Sequence, residues 1–271
     1  MGGVNREVQS SSAGGNKGTQ GPGGRESKVR LNKYLADHGV CSRREADRLI
    51  AQGRVEVNGR TAATGCKVTE QDSIAVNGRQ LQGKPKRAVL AFYKPVGVTC
   101  TEQDKHAEKI INDYVQYPVR VTYAGRLDKD SEGLLLLTND GNLIEAVMRG
   151  AHKHEKEYTV KVNREIEPPF LEKMAAGVYL PQLKQTTRPC EIRQTGKYTV
   201  RIILTQGLNR QIRRMCKACG YEVNQLKRVR IMNIRLEKLT PGKYREVKGQ
   251  ELEQLYREAG LALCSQVTRQ F

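Results

Sequence analysis

RLNKYLADHGVCSRREADRLIAQGRVEVNG, residues 30–59, has the pattern of two short amphipathic helices running into a tight hairpin. Leu31, Tyr34 and Leu35 recur on one helical face, so the first helix has a side to bury. Ser42, with Glu45 three residues on, forms a capping box that opens a second helix. On it Ala46, Leu49 and Ile50 point one way and Arg43, Arg44 and Arg48 the other, until Gly53 ends it. VEVNGR at 55–60 and IAVNGR at 74–79 each place Asn-Gly where a two-residue turn needs positive φ. The unit therefore has an apolar core side and a basic side. Arg43, Arg44 and Arg48, joined by Lys33 and Arg54, are expected to follow the phosphates of a folded RNA, a solvated basic face being the alternative.

Upstream, residues 1–28 are rich in Gly and Ser without apolar periodicity, and are expected to be a disordered leader. Downstream, Gly83-Lys84-Pro85-Lys86-Arg87 is a short charged link. It divides an RNA-binding unit at 29–83 from a second unit at 88–260, with a tail at 261–271. The second unit opens on the apolar run Ala88 to Phe92 and continues with Leu134 to Leu137, Tyr158 to Val162 and Tyr198 to Leu204, all strand-like. Strand-helix-strand crossovers are few, so the expected class is α+β, a mixed and mainly antiparallel sheet with flanking helices. No dinucleotide fingerprint or P-loop follows a strand, and no nucleotide cofactor is implied.

Lys and Arg outnumber Asp and Glu by 47 to 29 in 271 residues, a net charge of +18. Soluble domains usually carry a net charge of about 2 to 8 in magnitude, so this balance favours a polyanionic partner and puts nucleic acid first. No apolar run of 18 residues exists and no signal peptide opens the chain, so a cytoplasmic protein without membrane contact is expected. The seven cysteines lack a secreted framework's spacing. Cys216 and Cys219 form the one C-x-x-C pair, but with Ile212 and Met215 they make an apolar helix face, so they read as core and not as a metal site.

Two further stretches carry chemistry. GRLDKDSEGLLLLTNDG, residues 125–141, sets Asp128 two residues after Arg126 in a loop that runs into an apolar strand. Such a carboxylate suits a nucleophile, a general base, a metal ligand or a plain turn residue, and spacing alone does not choose among them. In LTQGLNRQIRRMCKACGYE, Arg210, Arg213, Arg214 and Lys217 fall opposite the Ile212 and Cys219 face. Lys227, Arg228 and Arg230 extend the charge, and Glu222 is the one acid between Arg210 and Arg235. A stripe this one-sided is expected to face RNA.

The two-helix unit resembles the alpha-L RNA-binding domain. GRLDKDSEG, then KEY at 156–158, then GLNRQIRRM at 207–215, in this order behind such a domain, resemble the RsuA/RluB/RluE/RluF family of pseudouridine synthases. FYKPVG, with Lys94-Pro95, matches a further family motif, and the runs HEKEY, GLNRQIRRMC and RIMNI are most similar to the RluF members. The resemblance implies isomerisation of a specific uridine in ribosomal RNA, large-subunit RNA above all, with transfer RNA as a further candidate. Such an isomerisation involves no redox change and requires no cofactor, and a monomer is expected. The resemblance also implies Asp128 as the catalytic aspartate, Arg126 as a holder of the flipped nucleotide, Tyr158 as the aromatic stacked on the target base and Arg213 as the basic partner of Asp128. A non-catalytic RNA-binding or ribosome-rescue factor has no need of that combination. An RNA methyltransferase would need a glycine-rich cofactor loop after a strand.

Overall fold

In the computed structural model, which describes residues 28–101, 108–148 and 153–262, Asn58 and Asn77 take φ of 51° and 52° and are followed by Gly59 at 74° and Gly78 at 73°. Successive left-handed residues are what a type I′ turn requires, and they fold two hairpins. The first pairs β1 (Val55–Val57) with β2 (Arg60–Thr61), and the second β3 (Ile74–Val76) with β4 (Arg79–Gln80). β1 also pairs antiparallel with β3, giving a four-stranded sheet. Helices α1 (Leu31–Asp37) and α2 (Arg43–Ala51) bury Leu31, Leu35, Ala46 and Ile50 against Val55, Val68 and Ile74. The capping box is half formed: Ser42 Oγ accepts the Glu45 N–H at 3.2 Å, while the Glu45 carboxylate turns to Arg48. The expected leader, apart from Lys28, and the expected tail beyond Ala262 lie outside the described residues.

The second unit is built on a mixed nine-stranded sheet. Its long strands are β5 (Val89–Lys94), β6 (Glu132–Thr138), β7 (Lys156–Val162), β8 (Glu191–Gly196), β9 (Thr199–Leu204) and β10 (Val223–Ile231), with the short β11 (Tyr244–Glu246) at one edge. They lie in the order β8-β9-β7-β10-β6-β5-β11, and every pairing along this path is antiparallel except β10 with β6. The Leu134–Leu137 run makes sense here, because a strand covered on both sides has no polar face. Leu135 and Leu137 enter a core under α4 (Pro168–Ala176) and α5 (Gln211–Ala218), with Phe170, Met174, Ile212, Met215 and Cys216. Leu134 and Leu136 enter the opposite core under α3 (Gly141–Met148) and α6 (Gly249–Glu258), with Leu143, Val147, Leu255 and Tyr256. Helices thus flank both faces of a mainly antiparallel sheet, the α+β arrangement expected. Among the described residues no helix is long and apolar enough to cross a membrane.

Candidate active site

Four strands far apart in sequence place one residue each on a single line across the sheet. Lys94 on β5 pairs with Gly133 on β6, Gly133 with Arg228 on β10, and Arg228 with Tyr158 on β7. Residues directly opposite in a ladder project to the same face, so Lys94, Arg228 and Tyr158 stand in a row. That face also carries α5 and Leu127, which shares an apolar cluster with Tyr158. The loop Gly125–Ser131, which bears Asp128, closes over the row as it runs into β6.

The loop is fastened from all sides. Arg228, 3% exposed, donates from Nε to Leu134 O at 2.7 Å and from Nη1 to Arg126 O at 3.4 Å. The Leu127 N–H reaches Cys100 Sγ at 3.4 Å, and the Gly97 N–H donates to Lys129 O at 2.8 Å. Within the loop the Ser131 N–H closes a turn on Asp128 O at 3.1 Å. Lys94, fully buried, gives its ammonium to Pro95 O and Val98 O, each at 2.8 Å, which shapes the turn that supplies Gly97. Burial pulls the Lys94 pKa down to about 8 against the opposing pull of Cys100, Asp128 and Asp130.

α5 supplies the cations. Arg210 sits ahead of its first turn at a φ of 49°, outside the helical face on which the sequence pattern set it. From there it grips Asp130 with two hydrogen bonds of 3.1 and 2.8 Å and stands 3.6 Å from the Asp128 carboxylate. Arg213 donates to Asp130 O at 2.8 Å, to Ser131 Oγ at 3.3 Å and to Val223 O at 3.1 Å. The expected pairing of Arg213 with Asp128 is thereby corrected: Arg210 forms that ion pair, because Arg213 is drawn to Asp130 and to carbonyls on both sides of it. The Arg210 hydrogen bonds hold the Asp130 carboxyl below the usual carboxylate range.

The other expected residues divide by their surroundings. Arg126 is exposed, and its side chain makes no hydrogen bond or ion pair among the described residues. Tyr158 is 9% exposed, and its hydroxyl makes no hydrogen bond among them. Arg43, Arg44, Arg48, Arg54 and Lys217 are exposed; Lys33 is held by Asp37 at 3.0 Å, and Arg214 by Asn209 at 2.9 and 3.0 Å. Of the stripe expected at 227–230, Arg228 is buried and Lys227 and Arg230 are half-buried. β10 has neighbours on both sides, and its Arg228 is buried between the helical layers, while Arg230 is taken by Glu157 at 2.7 Å and Glu155 at 2.9 Å. Lys227 lies over the Tyr93 ring at 4.9 Å. Sequence inspection therefore missed Arg228 as a loop anchor, because its direction is set by the distant strands that flank β10. Arg43, Arg44, Arg48 and Arg120 line a separate cleft of about 790 Å³ between α2 and the second unit, to which the Asp128 loop does not contribute.

The family model described as RNA pseudouridylate synthase matches residues 88–218, and the S4 domain model matches residues 29–74. The chain is 44% identical over 236 residues to proteins named dual-specificity RNA pseudouridine synthase RluF from Salmonella typhi and Escherichia coli K12, covering 86% of this chain and 80% of each relative. It is 36% identical over 232 residues to the ribosomal large subunit pseudouridine synthase B of Bacillus subtilis, covering 83% of this chain and 95% of that one. A crystal structure described as pseudouridylate synthase superposes with a TM-score of 0.63 at 29% identity, covering 84% of this chain and 99% of that one.

Proposed function

The chain belongs to the RNA pseudouridylate synthase family, with an S4 domain ahead of its catalytic unit, and from that premise we propose that it isomerises a uridine of large-subunit ribosomal RNA with Asp128 as the reacting carboxylate. The observation that carries this reading is the fastening of the Asp128 loop. Hydrogen bonds from Arg228, Gly97 and Leu127 hold a part-exposed carboxylate in place above the row that contains Tyr158. A carboxylate held this firmly meets a reacting atom without reorganising first.

The conversion breaks the bond from sugar to ring nitrogen, turns the uracil and joins the sugar to a ring carbon. Nothing is oxidised, reduced or lost, so a carboxylate and well-placed cations are sufficient. The target base must first leave its stack. Arg126, exposed and free of hydrogen bonds among the described residues, is suited to hold the turned-out nucleotide, and Tyr158 to stack on its base. The arginines of α2 and the cleft beside them follow the RNA backbone. Because the RluF relatives are named dual-specificity, we propose transfer RNA as the second substrate.

The test is mapping of carbodiimide-dependent primer-extension stops in ribosomal and transfer RNA from cells with and without the gene. One stop in large-subunit RNA and one in transfer RNA should vanish with the gene. An unchanged large-subunit pattern would sink the ribosomal assignment.

Tyr158 should act through its ring. Because its hydroxyl holds no partner among the described residues, Tyr158→Phe is expected to keep RNA affinity and most turnover, while Tyr158→Leu loses about 1 to 3 kcal/mol of stacking. Equal loss of turnover in both variants at unchanged affinity would show that the hydroxyl, and not the ring, is needed.

A further inference from the structure

Lys156 is the charged group of this face that the chemistry above leaves unused. It stands two residues before Tyr158 on β7, and strand alternation turns both side chains to the same side. Its side chain is half-buried and makes no hydrogen bond or ion pair among the described residues. The charged neighbour that bears on it is a second cation, Arg228, whose own Nη2 is buried without a partner. Burial first, and Arg228 second, pull the Lys156 pKa down to about 8. Charges withdrawn from water are normally paired. Two like-signed groups beside one stacking position, neither bonded to an acid, make a site that lacks an anion.

The reaction produces one there. When the bond between N1 and the sugar C1′ breaks, its electron pair stays on the ring and spreads over N1 and the carbonyl oxygens, while Asp128 meets the electron-poor sugar. The ring then turns and C5 bonds to C1′ as the carboxylate leaves; the C5 proton passes to water and N1 takes a proton from water, so no proton is gained or lost overall. The lysine ends with the proton it began with. We propose that Lys156 is a further catalytic residue, its ammonium set against the edge of the base stacked on Tyr158, where it stabilises the negative charge of the cleaved uracil. The proposal rests on the isomerase reading of the site.

An RNA phosphate beside the target nucleotide would suit the same ammonium, and the experiment separates the two. The full chain is mixed in excess with a large-subunit ribosomal RNA transcript tritiated at C5 of uridine, and single-turnover tritium release is followed beside RNA affinity at several salt concentrations. Wild-type release establishes the reaction itself, and the variants then isolate Lys156. Lys156→Gln should slow release at saturating RNA about 100-fold while leaving affinity and its salt slope unchanged, as expected for a group that acts on charge present only during reaction. Lys156→Arg should recover most of the rate. Since Lys156 makes no hydrogen bond or ion pair among the described residues to lose, and its burial disfavours the charge, the Gln variant should melt no lower than wild type. Unchanged release in Lys156→Gln overturns the proposal. So does weaker binding with a shallower salt slope at full rate, which marks a phosphate contact, or an Arg variant as slow as the Gln variant.

Discussion

Asp128→Asn is expected to abolish tritium release from the labelled RNA, by on the order of 10⁴-fold or more, with fold and RNA affinity retained. Asparagine keeps the shape and loses the charge. The substitution is structurally mild because the Asp128 side chain is 32% exposed and its one ion pair among the described residues, with Arg210, is a loose 3.6 Å. The buried Lys94, which feels the Asp128 charge, keeps its hydrogen bonds to Pro95 O and Val98 O when that charge goes, so the stability change should stay within about 0.5 kcal/mol. Removal of a negative charge beside the phosphates should, if anything, tighten RNA binding slightly. Asp130→Asn is a contrast and not a silent control. It removes one of the two hydrogen bonds that hold Arg210 and the charge that faces Arg210 and Arg213, so it should weaken both the local fold and the rate. Near-normal release by purified Asp128→Asn would remove the carboxylate from the mechanism.

Local features of the sequence were legible because their causes are local. Asn58-Gly59 and Asn77-Gly78 are turns for reasons contained in those residues, and Ser42 caps α2 by reaching three residues ahead. The Ile212, Met215 and Cys216 face of α5 follows from helical periodicity, and all three are buried as that periodicity requires. Charge was read less well. Arg228 and Arg230 look like a basic surface on paper, but their direction depends on which strands flank β10, and those neighbours lie about 70 and 95 residues upstream, as the pairs with Glu157 and Gly133 show. A count of cations cannot tell a side chain that meets solvent from one that pins a loop. The same limit hid the exchange of Arg210 for Arg213: both are within reach of an acidic loop, and the choice is made by the left-handed turn at Arg210.

Gly133→Ala is expected to destabilise the protein by roughly 3 to 5 kcal/mol and to remove activity with it, because two separate penalties meet at this residue. Its φ is 109°, a conformation that side chains rarely adopt, and a Cβ placed there would lie 2.2 Å from Arg228 O and 2.7 Å from Arg228 N. Those atoms are backbone and cannot swing aside. Relief requires β6 and β10 to separate at the single parallel pairing on the main path of the sheet, where Lys227 pairs with Glu132 and Arg228 with Gly133. The effect would not stop at the strand. Arg228 reaches from that register to Arg126 O and Leu134 O, so a shift of β10 withdraws the anchor of the Asp128 loop. Gly125→Ala is the matched comparison, since Gly125 has a φ of 89° and a Cβ there would meet nothing within 4 Å. It carries the conformational penalty alone, about 1 to 2 kcal/mol. Urea midpoints of the two variants, read against wild type, separate strain from collision. The expected result is a much lower midpoint for Gly133→Ala. Equal midpoints would mean that β6 and β10 part at little cost, and Arg228 would then not be fixing the loop through the register of these strands.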